Sequence, residues 1–141
     1  MEDLQVYYDI VEKFITNLGI DPAGCRGEKP GQWNLVKGSA PVWVDIFYLE
    51  SEKRSYFQTM SPICYMPAGN QVAFMQELLE TNHQLFGVAF TKYNDVIYIK
   101  MIREVRGLDY DEAADMIFRI GNYADHYDDQ LVQKYGAKRT S

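Results

Sequence analysis

The chain is poor in the side chains on which most hydrolases and metal proteins depend. It carries two histidines and two cysteines in 141 residues. A nucleophilic triad needs a histidine to activate its hydroxyl or thiol, yet neither His83 nor His126 stands in a supporting motif. Cys25 and Cys64 are far apart and lack ligand or redox spacing, so they read as free thiols of a reducing compartment. The glycines form neither a phosphate loop with its lysine, nor G-x-G-x-x-G, nor the G-x-S-x-G elbow. Positive charge is also scarce, with 14 basic residues against 20 acidic ones and a net charge of −6. This works against a phosphate-neutralising surface and so against nucleic-acid binding. The basic clusters are short: Lys53-Arg54, Arg103 with Arg106, and Lys134 with Lys138-Arg139. No apolar run is long enough to cross a bilayer, and the acidic start MEDLQVYYDI resembles no signal peptide. A cytoplasmic protein is expected, with neither membrane nor nucleic acid as partner.

What remains is an ordinary globular composition, 47% hydrophobic and 24% charged, of a length that buries a core without staples. One domain over residues 1–136 is expected, with 137–141 as a frayed tail. The chain centres on Phe86 to Val105, where two runs rich in aromatic and β-branched residues meet across Asn94-Asp95. Both turn residues tolerate positive φ, so a type I′ hairpin is predicted.

Upstream, Leu4, Tyr7, Tyr8, Val11, Phe14, Ile15 and Leu18 recur at helical steps and predict an amphipathic helix lying on the sheet, stopped at Gly19. Residues 23–31 read as a loop, and Gln32 to Lys37 as a first strand. In the next, residues 42–50, alternation puts Val42, Val44, Ile46 and Tyr48 on a helix-facing side and Trp43, Asp45, Phe47 and Leu49 on the other. Tyr56 to Met60 is a third strand, ending before Pro62. A second helix opens at Asn70 as cap, with Val72, Met75, Leu78, Leu79 and Leu85 as its buried stripe. After the hairpin, Asp109-x-x-Glu112 is a capping box, and Ala113, Met116, Ile117, Ile120, Ala124, Tyr127 and Leu131 keep helical spacing as far as Tyr135-Gly136. The order α-β-β-β-α-β-β-α with short connections implies an α+β fold whose antiparallel sheet has about five strands.

Chemistry is thinly signalled. Glu80-x-x-His83 has the spacing by which one helix contributes to a carboxylate-bridged metal pair, but Tyr123 stands where a second motif would need glutamate before His126. Asp125, His126, Asp128 and Asp129 point in different directions around a helix and cannot converge on one ion, so a solvated acidic face is expected. Asp45 lies amid aromatics that would raise its pKa, with no partner acid, base or nucleophile at a readable spacing. No cofactor and no catalytic residue are assigned. The alternative is a small-molecule or metal-binding protein using Glu80, His83, Asp45 or His126. The aromatic load of 11 Tyr, 7 Phe and 2 Trp is more telling. Strand alternation leaves some of Trp43, Phe47, Tyr56 and Phe57 on the sheet surface away from the helices, where amphipathic rings favour protein contact.

The segment GLDYDEAADMIFRIGNYADHYDDQLVQKYG, with Ala124-Asp125, Tyr127, Leu131 and Tyr135-Gly136, resembles the C-terminal helix of the YbjN-like family, whose fold resembles that of type III secretion chaperones. The hairpin GVAFTKYNDVIYIKMIREV, the helix from Asn70 and the strand VWVDIFYLE follow that family's element order. The resemblance implies a non-enzymatic homodimer that holds a protein or peptide client, in a chaperone-like or regulatory role. Trp43, Phe47, Tyr56 and Phe57 are then the expected client contacts, with the long helix or the hairpin strand as dimer surface.

Overall fold

Period-two alternation builds the centre of the molecule and period-3.6 patterning covers one side of it. The computed structural model describes residues 3–140, so the expectations that fall on residues 1, 2 and 141 lie outside the described residues. The elements are α1 (Gln5–Asn17), β1 (Gln32–Lys37), β2 (Ala40–Leu49), β3 (Arg54–Tyr65), α2 (Gln71–Gln84), β4 (Ala89–Tyr93), β5 (Val96–Glu104) and α3 (Tyr110–Tyr135), with a 3-10 turn at Pro22–Gly24. The strands form one antiparallel sheet in the order β1-β2-β3-β5-β4. The α+β class and the element order expected from the sequence are borne out.

The inner face carries the core. Trp33 and Leu35 of β1, Val42, Val44 and Ile46 of β2, Phe57 and Thr59 of β3, and Ile97 and Ile99 of β5 are all buried beneath α3 and its neighbours. α3 starts with the expected capping box: the Asp109 carboxylate accepts the Glu112 N–H at 2.8 Å and Glu112 accepts the Asp109 N–H at 3.2 Å. It ends on Gly136 in the left-handed conformation, φ +67°. Midway, Gly121 lets the helix approach the β1–β2 hairpin, because a Cβ there would lie 2.9 Å from the Lys37 Cβ. Thr59, fully buried at the middle of the sheet, donates to the Met116 carbonyl at 3.3 Å.

Several expectations are corrected. β3 does not stop before Pro62 but runs to Tyr65. Its pairing with β2 ends at Met60, and its register with β5 shifts between Pro62 and Cys64, so the missing N–H of Pro62 interrupts no ladder to β2. In the hairpin turn only Asn94 has positive φ, +54°, so the turn is not the I′ form, and the Asp95 carbonyl accepts the Met66 N–H at 2.9 Å. α1 does not lie flat on the sheet; it packs on α3 through Phe14, whose ring meets Phe118 edge-on at 5.3 Å.

α2 differs most from its reading. Asn70 is left-handed and makes no side-chain cap bond. Phe74 and Leu78 are its buried residues, whereas Val72 (76%) and Leu79 (70%) are exposed, with Met75 also outside. Of the expected stripe, Leu78 is buried and Leu85 packs against the core, while Val72, Met75 and Leu79 face solvent and Phe74 takes the core position instead. Of the residues expected to fray beyond α3, Ala137 is buried and the Lys138 carbonyl accepts the Tyr65 N–H at 2.9 Å, so the start of this stretch is held against β3.

Candidate functional site

Cross-strand register fixes what shares the other face of the sheet, since directly paired residues point the same way. Trp43 pairs with Asn34 and Met60, Asp45 with Gln32 and Gln58, and Phe47 with Tyr56. Further along, Met60 pairs with Lys100, Gln58 with Ile102 and Tyr56 with Glu104. The helices that contact the sheet do so through the opposite, buried residues, so this face is uncovered in the single chain. Trp43, Phe47 and Tyr56 are each partly exposed there, as expected. Phe57 is not: it is fully buried among the core side chains, because adjacent residues of a strand face opposite sides and Tyr56 takes the outer one. Phe57 is therefore removed from the set of surface contacts.

The outer rings are organised in pairs. Phe47 lies 6.0 Å from Tyr56, and Trp43 reaches across β3 to Tyr98, also at 6.0 Å. Met60 of β3 widens the patch, and Tyr98 with the 45% exposed Ile102 extends it onto β5; none of the three is singled out by the sequence reading, although the alternation of Tyr98 with buried Ile97 and Ile99 carries the signal.

At the β2 end of this face, Phe47 and Pro30 border two adjoining hollows. One, about 400 Å³, is lined by Lys29, Gln32, Asp45 and Gln58 besides them. The other, about 520 Å³, passes under the first turns of α1 and is walled by Leu4, Tyr8, Ile46 and Tyr48. The loop that separates them is pinned by Gly31, φ +86°, whose carbonyl accepts the Ile46 N–H at 2.7 Å; a Cβ there would stand 2.5 Å from the Ile46 oxygen. Behind it, Glu12 receives two bonds from Arg26, each 2.8 Å, and the Trp33 indole N–H at 3.0 Å. The Arg26 guanidinium holds the Glu12 carboxyl below the usual carboxylate range, against the opposing effect of burial. None of Glu12, Arg26 and Gly31 stood out in the sequence, because their partners lie elsewhere in the chain.

The residues of the metal-binding alternative are dispersed. Glu80 and His83 are exposed on α2, with Glu80 accepting from Gln76 at 3.0 Å. His126 lies edge-on against Tyr127 on α3, at 4.8 Å, while Asp45 is on the far side of the sheet. Among the described residues no group of three or more His, Cys, Asp or Glu could hold a metal ion. The acidic face of α3 is only partly solvated: Asp128 is 6% exposed, turned toward Ser39 and Arg139, and burial pushes its carboxyl up. Among the described residues no helix is long and apolar enough to cross a membrane.

No family model matches the sequence, and no curated protein matches it. Solved structures do match the fold. A chain in the crystal structure of the ExsC–ExsE complex is similar over 93% of this chain and 97% of its own, with a TM-score of 0.69 and 10% identity. The HopA1–SchA chaperone–effector complex gives a TM-score of 0.65 at 10% identity, covering 92% and 99% of the two chains. YbjN from E. coli gives 0.57 at 13% identity, covering 92% and 93%. The resemblance read from the sequence holds at the level of fold, the level that such identities carry.

Proposed function

We propose that this chain is a non-enzymatic, chaperone-like or regulatory module of the cytoplasm that acts as a dimer and holds a segment of another polypeptide on the outer face of its sheet. The observation that carries this reading is the uncovered aromatic face itself. Trp43, Phe47 and Tyr56 stand partly exposed together, next to two open hollows of about 520 and 400 Å³. Paired rings flanked by hydrogen-bonding side chains suit the centre of a protein interface. The similar folds solved in the ExsC–ExsE and HopA1–SchA complexes agree with a polypeptide partner.

A separate surface suits self-association. Val72, Met75 and Leu79 project from α2 into solvent beside the edge strand β4 and the 78% exposed Phe86. The Asn82 side chain blocks the β4 edge at Phe90, accepting its N–H at 2.7 Å and donating to its carbonyl at 3.3 Å. The exposed apolar stripe, not strand pairing, is therefore what a monomer would leave at risk of aggregation. With the stripe serving the second copy, the outer face stays free for a client.

The test joins solution mass by light scattering across a dilution series with a pull-down by wild type and by Trp43→Ala/Phe47→Ala. A stable dimer that retains a specific polypeptide, lost in the folded double variant, is expected. A monomer that retains nothing, or capture indifferent to the two rings, contradicts the reading.

A further inference from the structure

Asp45 sits in the middle of the aromatic face, and its situation constrains what can cover it. On β2 it stands between Trp43 and Phe47, each two residues away on the same side, with Gln32 and Gln58 directly opposite on the flanking strands. Its carboxylate lines the 400 Å³ hollow under Pro30 and is partly buried. Burial pushes its pKa up, and the Gln32 and Gln58 amides only partly offset this. Lys29 borders the same hollow, yet among the described residues no basic side chain forms an ion pair with Asp45.

A partner laid over Trp43 and Phe47 must also cover Asp45. Removing a carboxylate from water without a matching charge costs several kcal/mol, enough to cancel the burial of one or two rings. A partner that brings a cation to this point is therefore favoured over one that does not, which leaves Asp45 to be covered uncompensated or protonated. An arginine fits best: its guanidinium can take a carboxylate with two parallel bonds and lie against aromatic faces at the same time. The net charge of −6 also favours the approach of a basic segment.

We propose that Asp45 makes the outer face selective for an extended polypeptide segment carrying an arginine with apolar residues two positions to either side, the guanidinium paired with Asp45 between Trp43 and Phe47. This rests on the face being the client surface, as proposed above, and adds what the client must contain.

The test uses three capped heptapeptides, Ser-Leu-Thr-X-Thr-Leu-Ser, with arginine, its neutral isostere citrulline, or glutamate as X, titrated to millimolar concentration against the ¹⁵N-labelled full chain. Shifts of the β2 amides report binding. The arginine peptide is expected to bind wild type at least about tenfold tighter than the citrulline peptide, the worth of a charge-assisted bond. Asp45→Asn, its spectrum otherwise unchanged, should abolish that difference. Equal affinity of the arginine and citrulline peptides for wild type, with loss in Trp43→Ala/Phe47→Ala, would overturn the arginine selectivity and leave the client surface standing. No shift with any peptide would overturn both.

Discussion

The two faces of the sheet are made from the same five strands by the same alternation, yet they differ in what they ask of solvent. The inner face is closed: Phe57, Val44 and Ile99 have essentially no exposure, and Thr59 finds its acceptor in α3. The outer face places rings of similar size beside Asp45, Gln32, Gln58 and Lys100 and leaves them partly wet. Sequence alternation therefore sorts residues into two sets with equal clarity, and only the position of the helices decides which set is core.

Cavity formation provides the sharpest contrast between the faces. Phe57→Ala should cost about 3–5 kcal/mol of stability, whereas Trp43→Ala or Phe47→Ala, on the half-open side, should cost no more than about 1.5 kcal/mol each. Urea melts of the three variants measure this directly, and equal losses would break the distinction. Next in size, Gly121→Ala forces a Cβ against Lys37 where α3 crosses the β1–β2 hairpin and should cost about 1–3 kcal/mol.

Two carboxylates sharpen the comparison through pH. Glu12 is held below its ordinary pKa, first by the Arg26 hydrogen bond, so its contribution is present above the unfolded-state value of about 4.3 and fades as pH falls through the folded-state value. Glu12→Gln should then lose about 0.5–1.5 kcal/mol at neutral pH and nothing in strong acid. Asp45 is shifted the other way by burial, so its charge opposes folding at neutral pH and the opposition disappears once both states are protonated. Asp45→Asn should be at least as stable as wild type at pH 7, with the difference closing on acidification, as thermal melts across pH would read. The smallest effect on stability, within about 0.5 kcal/mol, is expected for Leu79→Glu on the exposed stripe of α2, while light scattering should show its dimer gone.

Much of the fold was legible because its signals are local. The capping box at Asp109, the Gly136 stop and the alternation of residues 42–48 each declare themselves within a few positions. The misreadings arise where the deciding contact is distant. α2 carries two apolar stripes, Phe74 with Leu78 and Val72 with Met75 and Leu79, and periodicity alone does not say which meets the core. Phe57 went to the wrong face because aromatic residues stand on both sides of β3 at Tyr56 and Phe57. The hollows around Pro30 depend on Gly31 meeting β2 and on Arg26 meeting Glu12, contacts that no short-range pattern encodes. Of the candidate site, Trp43, Phe47 and Tyr56 were readable, and Tyr98, Met60 and Ile102 join them through strand order.

The central claim is that the client polypeptide lies on the outer face of the sheet and not on the exposed side of α3. Photo-crosslinking in the cells that make the protein tests this, with p-benzoylphenylalanine placed at Tyr56 on the outer face or at the 44% exposed Phe118 on α3. The account predicts a light-dependent adduct of higher mass from position 56 and none from position 118. An adduct from position 118 alone, or from neither, would contradict it.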